Sequence, residues 1–188
     1  MLTFYHAPGS SSMAVLIALY EAGAEFEIRK IALDAREKDP PEFAALNPEG
    51  KVPTLVIDGT PLTEVAGVLY YLARAYPGAA LWPSGDPLTE ARVISWMSFI
   101  ASSVHPARRQ GEEHARQIWT LADQRFGKGP WAVGPFSIAD IHLFRLFWRF
   151  GRNLGTYANL TAHYDRMIQR ESVRKTLETD ASLGYALP

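Results

Sequence analysis

An α/β domain followed by an all-helical domain is the fold class this sequence predicts, and three observations predict it. Residues 2–31 read as strand, helix and strand; strand signals recur only as far as residue 62; every periodic segment after residue 87 is helical. Leu2 to His6 is the first short strand. Ala7-Pro8-Gly9-Ser10-Ser11-Ser12 follows, a loop of turn formers and helix caps. Met13 to Ala22 contains no breaker and is apolar on nearly all sides, and Gly23 supplies a C-cap. A helix of that kind needs burial against something large. Glu25 to Ile31 is the second strand, and the crossover makes the two strands parallel.

Asp34 to Asp39 is charged and loop-like, Pro41 to Leu46 is a short helix, and Asn47-Pro48-Glu49-Gly50 is a turn. Thr54 to Ile57 and Thr60 to Leu62 are strands joined by an Asp58-Gly59 hairpin. Val65, Val68, Leu69, Leu72, Ala73 and Tyr76 then form one apolar helical stripe that ends at Pro77-Gly78. Proline and glycine over residues 79–87 mark a linker, giving domains at 1–77 and 87–188. Within the second, Leu88 to Val104, Glu112 to Phe126, Ser137 to Phe150, Leu160 to Arg170 and Ser172 to Thr179 are helical, with His105-Pro106 ending or kinking the first of them.

The totals exclude several classes of function. Nineteen basic residues against 20 acidic ones leave a net charge of −1, unlike a protein that displaces phosphate counterions. With no cysteine, disulfides, thiolate metal sites and cysteine nucleophiles are ruled out. No histidine spacing suits a metal, and Gly127-Lys128-Gly129 lacks the preceding strand of a phosphate loop. The N-terminus lacks the basic and apolar regions of a signal peptide, and no apolar run approaches the ~20 residues that span a bilayer. The reading is a cytoplasmic protein that meets neither nucleic acid nor membrane.

Four local features carry a resemblance. They are Pro8-Gly9-Ser10-Ser11-Ser12 before the first helix, Asn47-Pro48-Glu49-Gly50-Lys51-Val52-Pro53-Thr54-Leu55 leading into a strand, Leu62-Thr63-Glu64 opening a helix, and Gly134-Pro135-Phe136-Ser137-Ile138-Ala139-Asp140 opening another. In this order and spacing the chain resembles the glutathione S-transferase family over essentially its whole length, nearest to bacterial beta-class members. The resemblance implies a thioredoxin-like N-terminal domain, a C-terminal helical bundle, glutathione as co-substrate, no metal, a small hydrophobic electrophile and a homodimer.

The same resemblance implies a site. A cis Val52-Pro53 bond exposes the Val52 backbone to the cysteinyl part of glutathione, and Ser12 and Lys51 line the same cleft. Glu64, with the residue after it, grips the γ-glutamyl end; many relatives have serine where this chain has Val65, so one hydroxyl is missing. Ser10 matches the catalytic serine of delta-class members, and Ser11 matches the cysteine of beta-class members. The chemistry is thiolate activation, because a free thiol with a pKa of about 8.5 is mostly protonated at neutral pH and a hydroxyl donor or a helix N-terminus stabilises the anion. Each of the three serines also suits a helix cap, and Tyr5 on the first strand is the rival donor. His105 matches a histidine of the electrophile pocket in beta-class members.

Three readings stand apart from the site. Ser137-Ile138-Ala139-Asp140 is a capping box with a folding role. His142, Arg145, Arg149 and Arg152 form a polar stripe, read as the solvated or groove-facing side of their helix. Tyr70, Tyr71, Arg74, Trp96 and Phe99 are candidate interface anchors. The segment from His105 to Trp131 is shorter than in typical relatives, and together with the lost cysteine and Val65 it keeps open an alternative function, a non-catalytic glutathione-binding or protein-interaction module.

Overall fold

The computed structural model describes residues 1–33, 35 and 39–186, so most of the charged segment at 34–39 lies outside the described residues. It divides into two compact units, Met1–Ala79 with Glu171–Pro188, and Ala80–Arg170.

The first unit is built on a four-stranded sheet in the order β2-β1-β3-β4. β1 (Leu2–His6) runs parallel to β2 (Phe26–Lys30) and antiparallel to β3 (Thr54–Ile57), which pairs antiparallel with β4 (Thr60–Thr63). The last two strands join through Asp58 and Gly59, both at positive φ (47° and 87°), as a two-residue turn matched to strand twist requires. Alternation along β1 sends Tyr5 to one face, where it stacks on Phe43 of α2 (Phe43–Leu46), and Phe4 and His6 to the other. α1 (Ser12–Glu21) and α3 (Val65–Ala75) lie together, and Val65, Val68, Leu69, Leu72 and Ala73 of the apolar stripe are buried.

The last helix, α9 (Glu171–Ser182), belongs to this unit, whereas the sequence reading placed residues 87–188 together. The reason lies in α1. Every residue from Ser12 to Leu19 is buried, which α3 alone cannot achieve, and α9 packs along α1 to close it. The buried residues of α9 are Ser172, Val173, Thr176 and Asp180, which share one face at one or two turns' spacing.

The second unit is helical: α4 (Pro87–Phe99), α5 (His105–Ala107), α6 (Glu112–Phe126), α7 (Ile138–Leu146) and α8 (Ala158–Ile168). Asp86 caps α4 by accepting the Leu88 and Thr89 N–H groups, each at 3.1 Å. Between α4 and α5 the chain widens over Ile100–Val104, so that the His105 N–H reaches the Ile100 carbonyl. Pro106 has no N–H to offer and its ring needs room, and the wider turn carries the helix across it instead of ending there. All nine residues of α7 are buried, His142 and Arg145 among them, so these two members of the stripe read as solvated or groove-facing are not solvated. A second widened turn, Phe147–Gly151, then breaks the 3.6-residue period on which that reading rested.

Candidate functional site

The sheet register collects the site residues of the first unit. Tyr5 of β1 pairs with Thr54 of β3, and Thr54 pairs with Thr63 of β4, so the three strands share a row at one end of the sheet. From that row emerge the Ala7–Ser11 loop after β1, the Lys51-Val52-Pro53 segment before β3, and Glu64 and Val65 after β4. The Val52–Pro53 peptide is cis. Ser11 Oγ donates to the Val52 carbonyl at 2.9 Å, tying the start of α1 to the proline turn. Asn47 shapes that turn: its amide donates to the Lys51 carbonyl at 2.7 Å and to Thr54 Oγ1 at 2.9 Å, and its Oδ1 accepts the Glu49 N–H at 3.1 Å. The sequence marked this stretch as a turn without identifying Asn47 as its clamp.

The four candidate thiol donors have different surroundings. Tyr5 is buried and its hydroxyl donates to Glu42 Oε1 at 3.1 Å. Burial, then the bond to Glu42 and that carboxylate's charge, push its pKa up. Ser11 uses its one proton on Val52. Ser12 is fully buried, its Oγ 3.1 Å from the Ala7 carbonyl and 2.8 Å from His6 Nδ1. Ser10 is half-buried; its Oγ accepts the Ser12 N–H at 3.2 Å and lies 2.7 Å from Ser12 Oγ. The N-cap of α1 is Ser11, whose side chain makes no capping bond, so the side-chain acceptor at this helix start is Ser10. Gly9 has φ +69°, and a Cβ there would lie 2.1 Å from the Tyr185 ring, so the loop has no room for a side chain at that position.

Lys51 is exposed, with Nζ 2.6 Å from Glu49 Oε2, while Val52 and Pro53 are buried. Glu64 is exposed and precedes α3 with φ 64° and ψ 128°, a conformation that a residue with a Cβ rarely adopts. Its side chain makes no capping bond to α3, although its carbonyl accepts the Val68 N–H at 3.0 Å. Val65 opens the helix, buried.

His105 lies in the second unit, apart from these residues in the division of the chain. Burial, then Arg145, Arg109 and Arg108, hold its pKa below the usual histidine value. His142 is pushed down to about 3 by burial, then by Arg145 and His105, and is therefore neutral. Arg108, Arg145 and Arg149 hold their guanidinium carbons 4.5, 5.3 and 5.8 Å from the centre of the Phe150 ring. Of these three only Arg145 is buried, and the ring gives its guanidinium a partner there, while Arg108 and Arg149 are exposed. Two further residues at the first site went unseen in the sequence, His6 and Asp180. A lone histidine at a strand end and a lone aspartate on an amphipathic helix carry no local pattern that pairs them.

Comparison with known proteins adds the following. Residues 1–74 match the family model described as glutathione S-transferase, N-terminal domain. A solved sphingomonad glutathione S-transferase complexed with glutathione is 30% identical, covers 95% of this chain and 98% of its own, and superposes with a TM-score of 0.86. The beta-class glutathione S-transferase of Sphingomonas chungbukensis is 33% identical with the same coverages and a TM-score of 0.84. Among curated sequences, the maleylacetoacetate isomerase of Pseudomonas aeruginosa is 31% identical over 76% of this chain and 77% of its own length.

Proposed function

The chain belongs to the glutathione S-transferase family, and from that premise we propose that it binds glutathione at the end of the β1-β3-β4 row and activates its thiol through Ser10 for attack on a small hydrophobic electrophile. The observation that carries this reading is the Ser11–Val52 bond, which brings the serine loop against the backbone that precedes the cis proline. An extended tripeptide can add to the Val52 backbone as a short strand, its γ-glutamyl amine towards Glu64 and its sulfur towards the start of α1. Of the four hydroxyls, those of Tyr5 and Ser11 donate to Glu42 and Val52 and Ser12 is fully buried, whereas Ser10 is half-buried at the start of α1 and matches the catalytic serine of delta-class members, so Ser10 is assigned to the sulfur. Ser12, Lys51, Pro53 and Val65 frame the ligand, and His105 is assigned to the electrophile.

Ser10→Ala will raise the pKa of the bound thiol by about one unit, because one hydrogen bond to the anion is lost. Below both pKa values the thiolate fraction then falls by about tenfold, and kcat/KM with it. Thiolate absorbance of the glutathione complex against pH checks this. A shift in Tyr5→Phe with none in Ser10→Ala would make the enzyme a tyrosine type.

Isomerisation is a second reading, favoured by the similarity to the Pseudomonas aeruginosa isomerase. There the thiolate adds to an activated double bond, the bond rotates, and the thiolate leaves unchanged. Product analysis separates the two: a glutathione adduct for transfer, a rearranged substrate with glutathione recovered for isomerisation.

We also propose a symmetric homodimer. Tyr70 is 46% exposed on α3, beside half-buried Tyr71 and exposed Arg74 and opposite the buried stripe. Trp96 is not part of this surface: it is 3% exposed, donates its indole N–H to the Ala132 carbonyl at 3.1 Å, and packs edge-on against Phe99 and Phe126. Sedimentation of the wild type will show a species of twice 20.9 kDa, and Tyr70→Glu will shift it towards monomer. A 20.9 kDa species that persists on concentration excludes the dimer.

A further inference from the structure

The serine loop is held from the far end of the chain. Residues 7–10 form a turn in which the Ser10 N–H donates to the Ala7 carbonyl at 3.1 Å. Pro8 takes the second place and Gly9 the third, at φ +69°. This is the type II pattern: proline fixes the φ of the second residue, and glycine adopts freely the positive φ of the third. Two residues from the end of α9 grip that glycine. Asp180 Oδ2 accepts the Gly9 N–H at 2.8 Å. The ring of Tyr185 lies where a side chain of residue 9 would be, so that a Cβ added there would fall onto its Cζ, Cε2 and hydroxyl oxygen.

The end of α9 is built to return Tyr185 to this place. Gly184 has φ +90°, the Tyr185 N–H donates to the Asp180 carbonyl at 3.0 Å, and the Gly184 N–H donates to the Ala181 carbonyl at 2.9 Å. These are the paired bonds of a Schellman cap, with glycine at the position that needs positive φ. Lys30 Nζ, at the end of β2, donates to the Leu183 carbonyl at 2.6 Å and ties the cap to the sheet. In such caps the residue after the glycine commonly makes an apolar contact with the last turn of its own helix. Here that turn offers Thr179 and Asp180, both polar and both bonded to other residues, while the Tyr185 ring packs on Gly9. Asp180 and Tyr185, joined through one backbone bond, thus clamp one residue of the serine loop.

We propose that Tyr185 is a positioning residue of the thiol site, whose ring, held by the cap of α9, keeps Gly9 in place and so sets where Ser10 meets the sulfur of bound glutathione. The proposal rests on the assignment of Ser10 to that sulfur. The next serine, Ser11, is anchored by its own bond to Val52, and Ala7 is anchored to Ser12 through both its N–H and its carbonyl. Between those anchors the chain turns at a glycine, the residue with the widest choice of backbone conformation. Removing the ring opens space beside that glycine, and a displacement of about 1 Å is enough to take much of the effect from a group that acts on a reacting atom. The contact is made by ring atoms as well as by the hydroxyl, so a phenylalanine in place of Tyr185 keeps the clamp.

The thiolate titration of the glutathione complex tests this, with circular dichroism and a thermal melt of each variant as controls. Tyr185→Ala will raise the pKa of the bound thiol, by at most the shift of about one unit expected of Ser10→Ala, and will add nothing in the Ser10→Ala background. Tyr185→Phe will titrate as the wild type. Affinity for S-methylglutathione, which has no thiol to ionise, will be the same in Tyr185→Ala and the wild type. A wild-type titration of Tyr185→Ala overturns the proposal, and so does an equal shift in the two backgrounds, which means an effect that bypasses Ser10. A shift in Tyr185→Phe as large as in Tyr185→Ala overturns it by assigning the effect to the phenol. Loss of S-methylglutathione affinity in Tyr185→Ala means that the ring shapes the whole cleft, a merely structural role, and also overturns it. If Tyr185→Ala does not fold, Gly184→Ala carries the test. It keeps the ring and every loop residue, has room for its methyl with Lys30 Nζ nearest at 3.9 Å, and strains the cap that aims Tyr185. It too will raise the thiol pKa, and a wild-type titration overturns the proposal. The two levels fail separately. If Ser10→Ala leaves the thiol unmoved, the underlying reading falls, whereas a normal Ser10→Ala shift beside a wild-type titration of Tyr185→Ala removes the clamp alone.

Discussion

Replacing Asp140 with alanine will destabilise the helical unit by about 3–5 kcal/mol, the cost of removing a buried charged acceptor and leaving its donors unpaired. Asp140 is fully buried at the start of α7. Its Oδ2 accepts the Ser137 N–H at 2.9 Å, closing the capping box, while its Oδ1 accepts the Ala132 N–H at 2.8 Å and so fastens the preceding loop to the helix. His163 Nε2 stands 3.3 Å from Oδ1, at ion-pair distance but without the alignment of a hydrogen bond. Alanine removes the acceptor from two N–H groups, of which that of Ser137 is buried and that of Ala132 partly so. An asparagine at this position would keep one acceptor and lose the charge, so Asp140→Asn will cost roughly half as much. Urea titration with an unchanged slope is the measurement, and a loss under about 1 kcal/mol in the alanine variant would show that the box is dispensable. Below its melting point the alanine variant will still bind glutathione, since every residue assigned to the ligand lies in the other unit.

That capping box was legible because its members are three residues apart on one turn. The same locality made the serine loop and the Asn47–Pro53 turn readable as short motifs of turn and cap residues, whereas Glu64 was read only through the resemblance. What the sequence hid depends on distance along the chain. His6 and Asp180 are 174 positions apart, and neither has a neighbour that announces the pair. The apolar girth of residues 13–22 showed that α1 needed burial against something large, but periodicity does not identify the covering helix, and α9 was placed with the second domain. Burial of Arg145 was hidden for a different reason. Arg108, Arg145 and Arg149 converge on Phe150 from two separate segments, and a helical wheel of either segment contains only part of that cluster. Trp96 shows the same limit, since its position off the apolar stripe said nothing of Phe126, which packs against it from α6.

Glu64 will separate binding from stability. Its backbone stands at φ 64° and ψ 128°, outside the region that a residue with a Cβ prefers, at a cost of about 1–3 kcal/mol for such conformations. The side chain returns nothing to α3, making no capping bond, and among the described residues it forms no ion pair. A strained, exposed carboxylate at the end of β4 is where the proposed site puts the ligand amine. Glu64→Ala removes the charged partner and keeps the strain, so affinity for glutathione will fall by about 1–3 kcal/mol with stability nearly unchanged. Glu64→Gly removes both: the affinity loss will match that of alanine, while the fold will gain about 1 kcal/mol over the alanine variant because glycine adopts positive φ without a clash. Calorimetry with glutathione and thermal melts of the two variants supply the four numbers. Unchanged affinity in both would remove Glu64 from the ligand, and a glycine variant no more stable than the alanine one would mean that the backbone at Glu64 is not strained.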